Sequence, residues 1–325
     1  MMSSGPTAMD PGSARPPGQT LADIKLGVLG LGHMGHAFAA NLIADGASLT
    51  VYDRKAEVAA PLAARGAAIA KDLGDFARCD IILTSLPDDD VVRHVALGAE
   101  GLAGVLRQGA IHVSMSTISV ALSRELAQAH RARGQGFVAA PVLGNPDLAV
   151  ARQLFVLAGG AAVDLRRSLP VLERLGQRVF TVAEDSGLAS LMKLAGNVLT
   201  AATLQSMGEV FALLAKAGLP PERAQEILTG SLFDGHVHKT YGGKIVTQHY
   251  SPPGMAVPLA VKDLRLALAA AEHEAVPMPV ASLVHDMLVA VEARGWADLD
   301  WSVLGRLAAA NAGLSRHFSA VSCDE

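Results

Sequence analysis

Gly30-Leu31-Gly32-His33-Met34-Gly35 follows the apolar run Ile24–Leu29 and opens the helical pattern Met34–Ala44. Glycines at this spacing, between a strand and a helix, have separate tasks. Gly30 permits the tight turn, Gly32 lets backbone approach a ligand, and Gly35 lets the helix pack on the strand. A pyrophosphate would then lie over the helix N-terminus, held by free N–H groups and the helix dipole. Asp53 ends the next apolar run, Leu49–Tyr52, where a carboxylate accepts ribose hydroxyls. Gly30 to Gly35 with Asp53 therefore read as a nicotinamide dinucleotide site. Arg54 and Lys55 follow directly and suit a 2′-phosphate, which Asp53 repels unless it turns aside. NADP(H) is slightly favoured, and NAD(H) is the alternative.

A second constellation lies further along the chain. Gly187, Ser190, Lys193 and Asn197 recur three or four residues apart, so a helix puts them on one face. A lysine and an amide among small and apolar neighbours suggest a pocket. There Lys193 could protonate a developing alkoxide, and Asn197 could orient the substrate or the lysine. A lysine alone on a helix is more often a solvated charge, and these residues by themselves do not overturn that reading. Asp88-Asp89-Asp90 reads as charge at a helix N-terminus. His236 and His238 lack a third ligand nearby in sequence and read as solvated loop histidines, so no metal is expected.

The elements that must hold these residues alternate in type. Strands are expected at Ile24–Leu29, Leu49–Tyr52, Ile81–Ser85, Ile111–Ser114, Phe137–Val142, Leu154–Ala158 and Val179–Val182. Helical patterns such as Met34–Ala44, Val91–Leu97 and Val120–Arg133 separate them. Such alternation predicts parallel strands with crossover helices in an α/β, Rossmann-type doubly wound sheet over residues 23–185. From Ser186 to about Lys216 no strong breaker intervenes, so one helix of roughly 45 Å is expected. Helical segments follow at Glu222–Leu228, Leu259–Glu274, Val280–Arg294 and Asp300–Ala312, giving an all-α C-terminal domain over 186–315. Residues 1–22, rich in Ser, Gly and Pro, read as a disordered extension, and 316–325 as a tail.

Composition removes several classes of function. A net charge of −4 gives no electrostatic case for nucleic acid or an anionic membrane. Cys79 and Cys323 make neither a disulfide framework nor a zinc site, which suits a reducing, cytoplasmic setting. No apolar run of about 20 residues is free of charge or turn residues, so no membrane span is expected.

Five motifs in order carry a resemblance: Gly30 to Gly35 with Asn41-Leu42, Ser114-Met115-Ser116-Thr117, Ala140-Pro141-Val142-Leu143-Gly144, Gly187 with Lys193 and Asn197, and Lys262-Asp263. Over residues 24–312 the chain resembles the β-hydroxyacid dehydrogenase family, which includes 3-hydroxyisobutyrate dehydrogenase and glyoxylate/succinic semialdehyde reductase. The resemblance implies hydride transfer between a nicotinamide cofactor and a small aldehyde, ketone or hydroxy acid. It implies a Rossmann domain joined by a long helix to a helical domain, usually in homodimers or higher oligomers. By the same resemblance Lys193 is the catalytic acid/base and Asn197 orients the substrate. Thr117 lies near the nicotinamide ribose and the substrate, and Leu86-Pro87 borders the cofactor. Lys262 closes over the cofactor, and its stripe Leu259–Lys262–Leu266–Ala269 is expected to face inward.

The substrate loop departs from the family pattern. Relatives usually read Pro-Val-Ser-Gly-Gly or Pro-Val-Ser-Gly-Ser, with serine and backbone N–H groups holding a carboxylate. This chain has Pro141-Val142-Leu143-Gly144-Asn145-Pro146, and leucine donates no hydrogen bond. Leu143, Gly144 and Asn145 are nevertheless expected at the substrate. The loop also resembles the Ile-Gly-Thr-Pro stretch of imine reductases, which usually carry aspartate or tyrosine where Lys193 stands. Gly196 replaces a polar residue common in the family, and Phe233–Tyr241 is expected to border the pocket. Imine reduction or reductive amination is thus one alternative function. A non-catalytic, cofactor-binding scaffold is another, opposed by Lys193, Asn197 and Thr117.

Overall fold

Nine strands form one sheet in the computed structural model, which describes residues 21–314. They are β1 (Lys25–Leu29), β2 (Ser48–Tyr52), β3 (Ala68–Ile69), β4 (Ile81–Thr84), β5 (Ile111–Ser114), β6 (Gly136–Ala139), β7 (Val142–Leu143), β8 (Leu154–Gly160) and β9 (Gly176–Ala183). The spatial order is β3-β2-β1-β4-β5-β6-β8-β7, with β9 paired to β8. Every residue of β4, β5 and β6 is buried, because helices cover both faces of the sheet. The order reverses between β1 and β4, and ligands of such sheets bind at the carboxyl ends of the strands flanking that point. Gly30 leaves β1 there and Ser85 leaves β4.

The expected all-parallel sheet needs two corrections. The single run Phe137–Val142 divides into β6 and β7, and β8 runs antiparallel to both. Ala140 and Pro141 lie between the two strands, and proline has no N–H to continue a ladder. The β7–β8 link is too short for a full crossover: it holds only α6, and the chain doubles back.

Thirteen α-helices occur among the described residues. In the sheet region they are α1 (His33–Ala44), α2 (Ala60–Ala63), α3 (Asp89–Leu97), α4 (Leu102–Val105), α5 (Val120–Arg131), α6 (Pro146–Val150) and α7 (Ala162–Leu172). The long α8 (Ser186–Lys216) follows, then α9 (Pro221–Thr229), α10 (His236–Thr247), α11 (Val257–His273), α12 (Pro279–Ala293) and α13 (Leu304–Asn311). Asp185 starts α8: its carboxylate accepts from Gly187 N at 2.8 Å and pairs with Arg124 of α5. Near the other end, a side chain on Gly208 would lie 2.7 Å from Gly305 Cα, so glycine lets α8 and α13 cross closely.

Two main cores result. Val28, Leu83, Ile111, Val138 and Leu154 pack on one side of the sheet. Leu194, Leu204, Leu264, Leu288 and Trp301 pack among the later helices, with α8 lending side chains to them. Each such Leu contributes roughly 1.5–3 kcal/mol by leaving water. By length and composition α8 alone among the described helices could cross a membrane. Its buried Lys193, Asn197 and Gln205 fit a helix packed among protein elements instead.

Most of the expected extension and tail, with Cys323, lies outside the described residues. Leu21 and Ala22 are the exception: they begin a 3-10 turn, Leu21–Asp23, and Leu21 is buried against the sheet, so that part is not extension.

Candidate active site

The glycine turn has the geometry its spacing predicts. Gly30 has φ +88°, and a Cβ there would lie 2.3 Å from Ser85 O. A Cβ on Gly35 would lie 1.8 Å from Gly30 O. Gly32 faces open space and starts α1 without a capping side chain. An open backbone beside an uncapped helix N-terminus fits the pyrophosphate of a dinucleotide. Asp53 is turned back onto this turn: Oδ2 accepts from Leu31 N at 2.7 Å and Oδ1 from Lys55 N at 2.9 Å. Arg54 and Lys55 are exposed beside it.

A cleft of about 190 Å³ opens next to the turn. Met34, Leu86, Pro87 and Thr117 line it from the sheet side, with Gly144 and Asn145 of the β7–α6 loop. Lys193 and Asn197 of α8, and Lys262 and Asp263 of α11, line it from the helical side. Motifs far apart in sequence thus meet in one place. Gly30, Leu31, Gly32, His33, Gly35, Asp53, Arg54 and Lys55 are not among the lining residues; they form the adjoining turn and its flank.

Lys193 lies at the centre, 9% exposed, and its Nζ donates to Asn197 Oδ1 at 3.0 Å. Asn197 Nδ2 donates in turn to Asp263 Oδ2 at 2.5 Å. Lys262 Nζ donates to Thr117 O at 2.6 Å and lies 3.0 Å from Asp263 Oδ1, so it spans the cleft from α11 to the sheet side. Burial holds the pKa of Lys193 below the ordinary lysine range; Asp263 opposes the shift and Lys262 adds to it. A buried, partly de-energised ammonium of this kind is a better proton donor than a solvated lysine.

Four expectations about this region need revision. Leu143 does not line the cleft: a Cβ on Gly196 would lie 2.8 Å from Leu143 Cδ2, so the leucine fills the notch over Gly196. The buried stripe of α11 is Val257, Ala260, Leu264 and Ala267, whereas Leu259 and Ala269 are exposed. Lys262 borders the cleft at the edge of that buried stripe. Phe233–Tyr241 contributes no lining residue. His236 and His238 begin α10 rather than a loop; His236 is exposed and His238 is half-buried beside Phe233. Asp88 caps α3 by accepting from Val91 N at 2.9 Å, as its position suggests.

Two carboxylates were not foreseen as parts of the site. Asp263 stands on the buried stripe of α11 directly after Lys262, and an acid on an apolar face is the signal that marks it. Asp300 is fully buried and accepts from Lys244 Nζ and Gly254 N, both at 2.9 Å, and from Ser302 Oγ at 2.6 Å. It thereby anchors the loop whose Gly254 and Met255 line the cleft.

Comparison with known proteins agrees with this arrangement. Residues 25–183 match the family model for the NAD binding domain of 6-phosphogluconate dehydrogenase. Residues 187–308 match that for the NAD-binding region of NADP-dependent 3-hydroxyisobutyrate dehydrogenase. A Bacillus subtilis (strain 168) protein described as an uncharacterized oxidoreductase, YfjR, is 38% identical, the match covering 86% of this chain and 98% of that one. A crystal structure of 3-hydroxyisobutyrate dehydrogenase from Salmonella typhimurium superposes with a TM-score of 0.79 at 28% identity, over 88% of this chain and 100% of that one. An imine reductase from Myxococcus stipitatus in complex with NADP+ gives a TM-score of 0.59 at 25% identity, over 87% and 99%.

Proposed function

Because the chain belongs to the β-hydroxyacid dehydrogenase family and is an NAD(P)-dependent oxidoreductase, we propose that Lys193 is its acid/base for reducing a small carbonyl compound. The bound dinucleotide supplies the hydride. Lys193 then gives a proton from Nζ to the carbonyl oxygen, which becomes the alcohol, and regains a proton from solvent. In the oxidative direction neutral Lys193 takes the hydroxyl proton. Asn197 holds Nζ in place through Oδ1, and Asp263 fixes the amide so that its oxygen faces the lysine. Lys262 reaches from α11 across the cleft to Thr117 O, and the two would help to hold the cofactor when it is bound.

The observation that carries this reading is the burial of Lys193 at the cleft with one amide partner and no direct carboxylate partner. Its test is NAD(P)H oxidation with a panel of small aldehydes and ketones, followed in the wild type and in Lys193→Ala. Loss of turnover with retained cofactor binding supports the assignment.

NADP(H) is the favoured cofactor, since both oxygens of Asp53 are engaged by backbone amides while Arg54 and Lys55 stand exposed. Imine reduction is the second reading, supported by Leu143 in place of a hydroxyl and by the imine reductase structure. Lys193 argues against it, as an iminium already carries its positive charge. A homodimer in the cytoplasm is the assembly we favour. Leu188, Met192, Leu199 and Leu213 expose an apolar stripe along one side of α8, and a second copy would cover it. Light scattering on the purified protein checks the assembly.

A further inference from the structure

We propose that Asn41 and Arg152 are positioning residues that hold the substrate loop, residues 144–146, at the cleft. The proposal rests on the reading of the cleft given above. Met34, Phe38, Asn41 and Asp45 recur three or four residues apart and so share one face of α1 and its C-terminal end. Met34 and Phe38 line the cleft, as do Asn145 and Pro146 at the start of α6. Further along α1, Asn41 and Asp45 meet the far end of α6.

There the two helices are joined by a closed ring of hydrogen bonds. Asn41 Nδ2 donates to Ala149 O at 2.9 Å, and Arg152 N donates to the same oxygen at 3.2 Å. The guanidinium of Arg152 returns to α1: Nη2 donates to Asn41 O at 3.0 Å, and Nη1 to the two oxygens of Asp45 at 2.9 and 2.8 Å. Arg152 has φ +58°, just past the end of α6, where glycine is the usual residue. A side chain in that conformation costs about 1–2 kcal/mol. What arginine adds over glycine is its fork onto Asp45 and Asn41. The helices differ in what else holds them. Ala37, Phe38, Ala39 and Leu42 set α1 in the main core, whereas α6 has five residues, of which Ala149 alone is buried. So short a helix is not stable by itself. The ring therefore fixes α6, and the loop at its start, relative to α1 and the glycine turn.

The test uses Asn41→Leu and Arg152→Gly. The second relaxes the backbone while removing the fork, so its effect is not that of a strained fold. With NADPH and either glyoxylate or 4-oxobutanoate, each variant is expected to raise KM about tenfold, with kcat and the Kd for NADPH near wild type. In the NADPH-loaded protein, amide hydrogen exchange should quicken by about tenfold over residues 144–152 and stay unchanged over 33–44. An unchanged KM in Arg152→Gly, or an equal weakening of NADPH binding, overturns the inference. So does exchange over 144–152 that matches wild type in both variants. If neither aldehyde is reduced, the reading of Lys193 fails, and the exchange comparison decides alone.

Discussion

Asn197 Nδ2 donates to Asp263 Oδ2 at 2.5 Å, joining α8 to α11 beside the ammonium of Lys193. The asparagine amide has one possible orientation as a result. Its nitrogen faces the carboxylate and its oxygen faces the lysine, so a lone pair at Oδ1 always meets Nζ.

Replacing the lysine tests the proton transfer directly. Lys193→Ala is expected to lower kcat for carbonyl reduction by roughly 10²–10⁴-fold, the usual contribution of a positioned acid. Cofactor affinity, read by fluorescence titration of NADPH, should hardly change. Lys193→Arg should not restore activity, because guanidinium keeps its proton and is bulkier. Survival of carbonyl turnover within a few-fold of wild type would make Lys193 an ordinary pocket residue.

The neighbours of Lys193 should move its titration in opposite directions. Reduction needs the protonated lysine, so activity falls as pH rises through its pKa. Asp263 raises that pKa and Lys262 lowers it. Asp263→Asn is therefore expected to shift the alkaline limb of the rate profile to lower pH. Lys262→Met is expected to shift it to higher pH, with a weaker hold on cofactor. Profiles of kcat against pH for the three proteins check the signs.

Two glycines of the turn should fail in different ways. Gly32→Val meets no neighbour in the protein and should leave the melting temperature near that of wild type, while NADPH binding collapses. Gly35→Ala places a carbon against Gly30 O and should cost stability before cofactor is considered. Thermal melts with and without NADPH separate the two effects.

Arg54→Ala should weaken NADPH more than NADH, because a guanidinium pairs with the 2′-phosphate. Equal losses, measured as Kd for each cofactor, would reduce Arg54 to a support for the loop.

Acid sensitivity should arise in the sheet rather than in the cleft. Thr84 Oγ1, His112, His130 and Gln135 form a buried chain with successive contacts of 2.9, 2.9 and 2.7 Å. Gln135 Nε2 donates to Leu106 O, so its oxygen accepts from His130 Nδ1, and both imidazoles must be neutral to pass the chain on. Burial lowers the pKa of His130 from 6.5 to about 4 and that of His112 well below 6.5. The unfolded chain thus binds protons at a pH where the folded one does not. Stability held above pH 6.5 is expected to drain away between there and about pH 4, by on the order of 3 kcal/mol from His130 alone. Urea unfolding at pH 7.5 and 5 checks this, and His130→Phe should flatten the dependence.

Much of this architecture is legible in the sequence because burial leaves a pattern. Ile81–Thr84 and Ile111–Ser114 are apolar on both faces and read as strands covered from two sides. The limits of α8 are equally plain, from Asp185 at one end to Gly218-Leu219-Pro220 at the other. Pairing direction leaves no such trace, so the antiparallel β8 is invisible in its residues. Helix α10 is masked by Gly242 and Gly243, which weaken a helical reading, although tertiary packing over Gly242 and Ile245 holds it. Glycine turns and lysine spacing announce the site, but the part played by Asp263 depends on α8 and α11 meeting. Leu143 shows the converse: the loop places it at the substrate, and the missing side chain of Gly196 draws it aside.

The double engagement of Asp53 bears on how cofactor preference could be redesigned. Its carboxylate braces the amide of Leu31 inside the glycine turn and the amide of Lys55 on the flank. The flank proposed to receive the adenosine and the shape of the turn are thus mechanically one unit, and a substitution at 53 alters both together. A protein engineer seeking to exchange one dinucleotide for the other should hold residue 53 fixed and vary 54 and 55. Along that route, selectivity can drift in small steps without a passage through forms that bind neither cofactor.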